Sequence, residues 1–187
     1  MKTIVMPTFC DERGVDKTEI KINKIRLLVL DIDGVLNSRN FFMNRVKKEN
    51  SQLQDIDPEA VKLLNWIIDE TNCRILLSST WRHDFKTSMG VNIFFEAIGV
   101  RPVCIGLTPD YQTERGTEIL GWLIKHRYQK YPIIVESLTI LDDDNDMGIF
   151  MPWWVHCKNE TGLTKREAKI AKLMLLGSHF DLTVPLF

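Results

Sequence analysis

Asp31 and Asp33, in the run Val29-Leu30-Asp31-Ile32-Asp33-Gly34, are two carboxylates separated by a single residue. Asp142 and Asp143 form a second pair, closing the run Leu138-Thr139-Ile140-Leu141-Asp142-Asp143. If the chain stays extended, the side chains of Asp31 and Asp33 point the same way, roughly 6–7 Å apart. Carboxylates that face one cavity repel unless a cation or a shared proton intervenes, and the second pair raises the local charge further. A hard divalent cation with oxygen ligands answers that need. Mg²⁺ in particular combines carboxylates with the phosphate oxygens of a substrate. Any one Asp at a strand end is more often a turn or helix-cap residue. Four of them, closing two apolar runs, outweigh that reading.

These residues need elements that bring them together. Ile25-Arg26-Leu27-Leu28-Val29-Leu30 is a nearly continuous apolar run, as expected of a strand buried on both faces of a parallel sheet. Cys73-Arg74-Ile75-Leu76-Leu77 is a second such strand, ending at Ser78-Ser79-Thr80, and Ser137–Leu141 a third, ending in Asp142-Asp143-Asp144. Val103-Cys104-Ile105 and the neighbourhood of Val155 predict two short strands. Helices are expected from about Pro58 to Glu70, capped by Asp57, from Val91 to Ile98 with Gly99 as the stop, from Glu114 to about Tyr128, and from Thr164 to Leu176. Strands alternating with helices predict an α/β fold, a Rossmann-like parallel sheet with helices on both faces. Ligands of such sheets bind beyond the carboxyl ends of the strands, where Asp31, Asp33, Ser78, Ser79, Asp142 and Asp143 would converge.

Composition sets the bounds. A chain of 187 residues, 44% hydrophobic and 26% charged, fits one compact soluble domain. The reading is residues 1–24 as an N-terminal extension and 25–187 as the domain. A net charge of -1 gives no support to a strongly basic nucleic-acid surface, although local patches survive charge averaging. Cys10, Cys73, Cys104 and Cys157 show neither a CxxC pair nor zinc-ligand spacing, so they are read as reduced structural thiols. No apolar run approaches a membrane span and the N-terminus lacks a secretory stretch, so a cytoplasmic protein without a membrane partner is expected. The triplet Asn159-Glu160-Thr161 fits a glycosylation pattern that would be idle there.

Val29-Leu30-Asp31-Ile32-Asp33-Gly34-Val35-Leu36 resembles the first motif of the haloacid dehalogenase (HAD) superfamily, hhhDxDGxh. The resemblance implies that Asp31 is a nucleophile forming an aspartyl-phosphate. Asp33 would protonate the leaving oxygen and then help activate water. A carboxylate nucleophile divides hydrolysis into two easier steps, and a nearby metal offsets charge on the transferred group. The family's second motif, a strand ending in Ser or Thr that holds a phosphate oxygen, is matched by Ile75–Ser79, with Ser78 the first choice and Ser79 the second. The third motif is a basic residue opening a helix. Most members use Lys, and Arg115 in Glu114-Arg115-Gly116-Thr117 is the best match here, able to clamp a phosphoryl group bidentately. The fourth is matched by Leu138–Asp143. Implied metal ligands are Asp31, Asp33, Asp142 and Asp143, with Asp144 and Asp146 as substitutes.

Ser78-Ser79-Thr80-Trp81-Arg82, Arg115–Leu123 and Thr161-Gly162-Leu163-Thr164 are similar to a narrower branch, the phosphatase-like domain associated with RNA-repair proteins and related in layout to polynucleotide 3′-phosphatases. That branch implies removal of terminal phosphates from nucleic acid, with Gly34, Ser79, Trp81 and Arg82 around the substrate. Arg82 either reads a second phosphate or pairs with an acidic neighbour. Asn37–Ile56 has room for a flap but not for a cap domain, and an open site favours a large or extended substrate. The flap interleaves Arg39, Arg45, Lys47 and Lys48 with Phe41 and Phe42, which suits phosphate contacts and base stacking, or else an amphipathic cover with the two rings on the core. Trp122 falls at core spacing on its helix. Competing readings are a nucleotidase or small-metabolite phosphatase, a phosphorylated receiver-like module, and a silent phosphate-binding module. A receiver lacks the acid/base that Asp33 supplies.

Overall fold

The computed structural model describes residues 23–45, 55–129 and 132–177. Residues 1–22 of the N-terminal extension, with Cys10 among them, and Lys47 and Lys48 lie outside the described residues, while Asn23 and Lys24 belong to the first strand. Five strands, β1 (Asn23–Leu30), β2 (Arg74–Leu77), β3 (Cys104–Leu107), β4 (Ile133–Asp142) and β5 (Trp154–His156), form one sheet in the order β3-β2-β1-β4-β5. Every pairing is parallel. Five helices connect them: α1 (Arg39–Asn44), α2 (Pro58–Thr71), α3 (Ser88–Ile98), α4 (Arg115–Arg127) and α5 (Lys165–Gly177).

The strand run of β1 is continuous because both faces are covered. Leu28 and Leu30 pack into a core with α2, α3 and α5, while Leu27 and Val29 pack on the other face with Ile119, Trp122 and Leu123 of α4. Period-2 alternation therefore sorts neighbouring residues to opposite layers, which gives helices on both faces as expected. Trp122 is buried, as its spacing predicts.

Local chemistry sets the helix ends. Asp57 accepts the Glu59 N–H and Pro58 opens α2, while Gly99, at φ +82, closes α3. β4 begins four residues before the predicted Ser137, since Ile133–Val135 extend it at half-buried positions and Glu136 at an exposed one. The short helix α1 is not anticipated from periodicity. It has no buried residue, so no apolar stripe marks it, and it rests on the Ser38 cap, whose Oγ accepts the Phe41 N–H. Cys73, Cys104 and Cys157 are free, buried thiols, and burial raises the pKa of each, to about 11 for Cys104. No helix among the described residues is long and apolar enough to cross a membrane.

Strand order reverses between β1 and β4: from β1 the chain moves outward through β2 and β3, then returns to the far side of β1. The crevice beyond their carboxyl ends is the topological switch point of the sheet.

Candidate active site

The ladder runs one residue past each strand and sets the site. Asp31 N–H donates to Leu141 O at 3.0 Å, Ser78 N–H to Leu30 O at 2.8 Å, and Thr108 N–H to Leu77 O at 2.9 Å. Asp31 thus stands between Ser78 and Asp142.

Beyond Asp31 the chain leaves the extended conformation. The Val35 and Leu36 N–H groups return to Ile32 O at 3.2 and 2.8 Å. The expectation that Asp31 and Asp33 project side by side from an extended strand therefore fails: Asp31 is 4% exposed and Asp33 lies at the surface. Asp33 is nonetheless held firmly. Its Oδ1 accepts from Asn37 Nδ2 at 2.8 Å and its Oδ2 from Trp81 Nε1 at 2.9 Å. Asn37 also accepts the Gly34 N–H at 2.9 Å, closing the turn.

Gly34 takes φ +69, and a Cβ there would fall 2.3 Å from Asp143 Cγ. The DxDG glycine is thus required twice, for a left-handed backbone and for the close approach of Asp143. Gly34→Ala is expected to displace the Asp143 carboxylate and to lose about 1–2 kcal/mol of stability to the backbone. Thermal denaturation reads the stability. Calorimetric Mg²⁺ titration should show a tenfold or greater loss of affinity, and parent-like affinity would contradict this account of Gly34.

Asp31, Asp142 and Asp143 each offer a carboxylate oxygen within 4.8 Å of the others. Asp33 is outside that cluster, as are Asp144 and Asp146. Arg115 sits against it: Nη1 lies 3.2 Å from Asp31 Oδ2 and 2.5 Å from Asp142 Oδ2, and donates to Ser78 O at 2.6 Å. Asp144 and Asp146 flank the guanidinium at 3.6 and 3.9 Å. The helix α4 reaches this position because Gly116 has no side chain, a Cβ there falling 2.2 Å from Met147 O. Asp146 Oδ2 fixes the helix start by accepting the Arg115 N–H at 3.0 Å.

The electrostatics follow from this packing. Burial pushes the Asp31 carboxyl up to about 6, against the lowering effects of Arg115, a Ser79 hydrogen bond and the Ile32 N–H. Burial, and then the charge of Asp31, push Asp142 up to about 8 against Arg115. Burial lowers the Arg115 pKa, but Asp31, Asp142, Asp146 and Asp144 outweigh it and raise it overall. Burial and repulsion among the carboxylates therefore favour protonation of Asp31 and Asp142 beyond that of an ordinary carboxylate.

The serines divide. Ser79 lowers the pKa of the Asp31 carboxyl and its Oγ accepts the Trp81 N–H at 3.4 Å, whereas Ser78 Oγ pairs with Thr108 Oγ1 at 3.4 Å. Arg82 takes the acidic-neighbour alternative, with Nη2 3.0 Å from the buried Glu118 and 3.5 Å from Asp110. Trp81 spends its indole N–H on Asp33 and packs its ring against Phe94 at 5.5 Å, tilted by 46°. Sequence reasoning missed Asn37, Thr108, Glu118 and Asn159 as site residues. Asn159 Nδ2 donates to Asp143 Oδ2 at 2.9 Å from a loop with no periodicity to mark it. Glu118 carried a legible signal, an acid one helical turn before the core-facing Trp122.

A search of curated proteins and a search of solved structures found no match. A family model described as the HAD domain in Swiss Army Knife RNA repair proteins matches residues 27–168, from within β1 into α5. Those bounds take in Asp31, Ser78, Arg115, Asp142 and Asp143 together with all five strand ends, and cover more than half of the chain, so the protein belongs to the family of HAD domains found in Swiss Army Knife RNA repair proteins.

Proposed function

We propose that this domain is a Mg²⁺-dependent phosphomonoester hydrolase that works through Asp31 as nucleophile and acts on terminal phosphates of nucleic acid. The observation that carries the reading is the buried Asp31 carboxylate, wedged between Arg115 and the Asp142–Asp143 pair with Asp33 held at the surface alongside. Family membership supports a HAD-type phosphatase in general, and the family's association with RNA repair proteins favours a nucleic-acid end.

The donor set fits a hard cation: three carboxylates, all oxygen, with one of them half-buried at the edge of the crevice. Asp31, Asp142 and Asp143 would hold Mg²⁺, which would offset negative charge on the transferred phosphoryl group. Every other task falls to the chain. Asp31 Oδ2 forms a bond to phosphorus as the ester P–O bond breaks. Asp33 delivers its proton to the departing oxygen, then takes one from the water that attacks phosphorus and releases Asp31. Arg115 and Ser79 hold phosphoryl oxygens, Ser79 being the better placed of the two serines. Asn37 and Trp81 fix the Asp33 carboxylate between two donors.

Phosphate release with Mg²⁺ tests this reading, comparing a 3′-phosphorylated oligonucleotide with mononucleotides and sugar phosphates. The oligonucleotide should be preferred and its turnover lost in EDTA. Preference for a small phosphate would discard the nucleic-acid substrate, and no release from any of them would discard the activity.

Cation binding should depend on pH. The folded-state pKa values of Asp31 and Asp142 are raised, so between about pH 4 and 8 the metal-free native state binds more protons than the unfolded chain and loses stability as pH rises. Mg²⁺ must displace those protons. Its stabilisation in thermal denaturation should therefore be larger at pH 8 than at pH 5.5, and an equal gain at both would count against the assigned ligands.

Trp81→Phe keeps the ring against Phe94 and removes one hydrogen bond to Asp33. A loss of roughly 3–10-fold in kcat is expected for an alkyl phosphate, whose leaving oxygen needs a proton, and little change for p-nitrophenyl phosphate. Equal losses on both substrates would assign Trp81 a purely structural role.

A further inference from the structure

A cavity of about 390 Å³ opens beside Gly34 and Asp33, the residue assigned above to the leaving oxygen, with Arg39, Phe42, Met43 and Asn159 among its walls. Its volume suits one small-molecule moiety. Three of these walls belong to α1. Phe42 is 39% and Met43 74% exposed, and none of its residues is buried. Among the described residues of the flap, neither Phe41 nor Phe42 joins a core cluster.

The helix is nonetheless anchored. Arg39 N–H donates to Asn159 O at 2.9 Å and Asn40 N–H to Glu160 O at 3.0 Å. The Arg45 guanidinium, ion-paired to Asp55, lies 4.5 Å from the Phe42 ring centroid. The Phe41 ring meets that of Phe42 at 5.8 Å, tilted by 56°, and Phe42 keeps 39% of its surface exposed. Around the site the other arginines are committed, Arg115 to the carboxylate cluster and Arg82 to Glu118. Arg39 is exposed, and its side chain has no ion-pair or hydrogen-bond partner among the described residues.

We propose that α1 forms the leaving-group subsite, where the terminal nucleotide of a single-stranded nucleic acid stacks its base on Phe42 and Met43 while Arg39 holds the next backbone phosphate. This rests on the phosphohydrolase reading above and assigns specificity within it. An exposed aromatic propped by a cation is a platform for any base, since every base has a π-face. Arg39 calls for a second anion beyond the scissile phosphate, and a polynucleotide supplies one at every residue. A sugar phosphate offers neither the plane nor the second charge, and a singly phosphorylated peptide carries its one phosphate to Asp31.

The test is fluorescence anisotropy of a labelled, 3′-phosphorylated single-stranded oligonucleotide on the Asp31→Asn protein with Mg²⁺, over a salt series. Adding Phe42→Ala should weaken binding about tenfold without changing the salt slope, through lost stacking. Adding Arg39→Ala should reduce the slope of log K against log[salt] by about 0.7, one phosphate contact on a single strand. Parent-like binding and slope in both variants would overturn the subsite, as would tighter binding of a phosphoserine peptide than of the oligonucleotide. The wild-type chain is assayed in parallel with p-nitrophenyl phosphate. Turnover there with insensitive variants refutes the subsite alone, whereas absence of turnover removes the hydrolase reading and the subsite with it.

Discussion

Exchanging Asp31 for Asn should lower kcat by at least about 10⁴-fold while leaving the fold intact. The reasoning is local. The side chain is buried among fixed partners, with Ile32 N–H on Oδ1 and Arg115 Nη1 3.2 Å from Oδ2. An amide of nearly the same volume can keep one of those contacts, but it carries no lone pair able to attack phosphorus at a useful rate. Removal of a catalytic nucleophile in a unit of this kind costs several orders of magnitude, far more than removal of a neighbouring hydrogen bond. Stability should move the other way. Burial and then the charge of Asp31 raise the pKa of Asp142, so neutralising position 31 relieves a repulsion. The metal-free Asp31→Asn protein should therefore melt no lower than the parent at pH 8, as read by thermal denaturation. Near-parental turnover would rule out the covalent route.

Arg115→Ala is the second large effect. The guanidinium is 12% exposed and stands against Asp31 and Asp142, so truncation leaves two buried carboxylates without their cation. Breaking a buried pair from one side costs about 3 kcal/mol, and in a chain of this size that lowers Tm by roughly 10 °C. The loss should be greatest at pH 8 and shrink towards pH 5, because protonation of Asp31 and Asp142, already raised to about 6 and about 8, removes the uncompensated charge. Turnover should fall about 10²–10³-fold, the scale of losing one preorganised donor to developing charge. Arg115→Lys should stay within about tenfold of the parent. The contacts to Asp31, Asp142 and Ser78 O all come from Nη1, and one ammonium has three donors to serve them. A pH-independent stability loss in Arg115→Ala would contradict this electrostatic account.

The sheet was legible because its strands are buried on both faces and read as apolar runs, with Asp31, Ser78 and Asp142 at their ends. Helices α2 to α5 were legible from caps and period, Asp57 and Gly99 being clear signals. What sequence reasoning placed wrongly was the orientation of Asp33. Alternation applies only while the chain is extended, and the turn closed by Asn37 and Gly34 ends that at Ile32. The polar partners were illegible for a related reason. Asn37, Thr108 and Asn159 act through tertiary contacts across loops, and nothing in their local sequence distinguishes them from ordinary turn residues. Trp81 was visible as a site residue, but its bond to Asp33 depends on how the segment after β2 folds back over the crevice.

The covalent step can be caught directly. Borohydride added during Mg²⁺-supported turnover of a 3′-phosphorylated oligonucleotide reduces an acyl phosphate to an alcohol, so peptide mass spectrometry should find homoserine at position 31. Phosphate release with an unmodified Asp31, or with reduction at another carboxylate, would contradict the account.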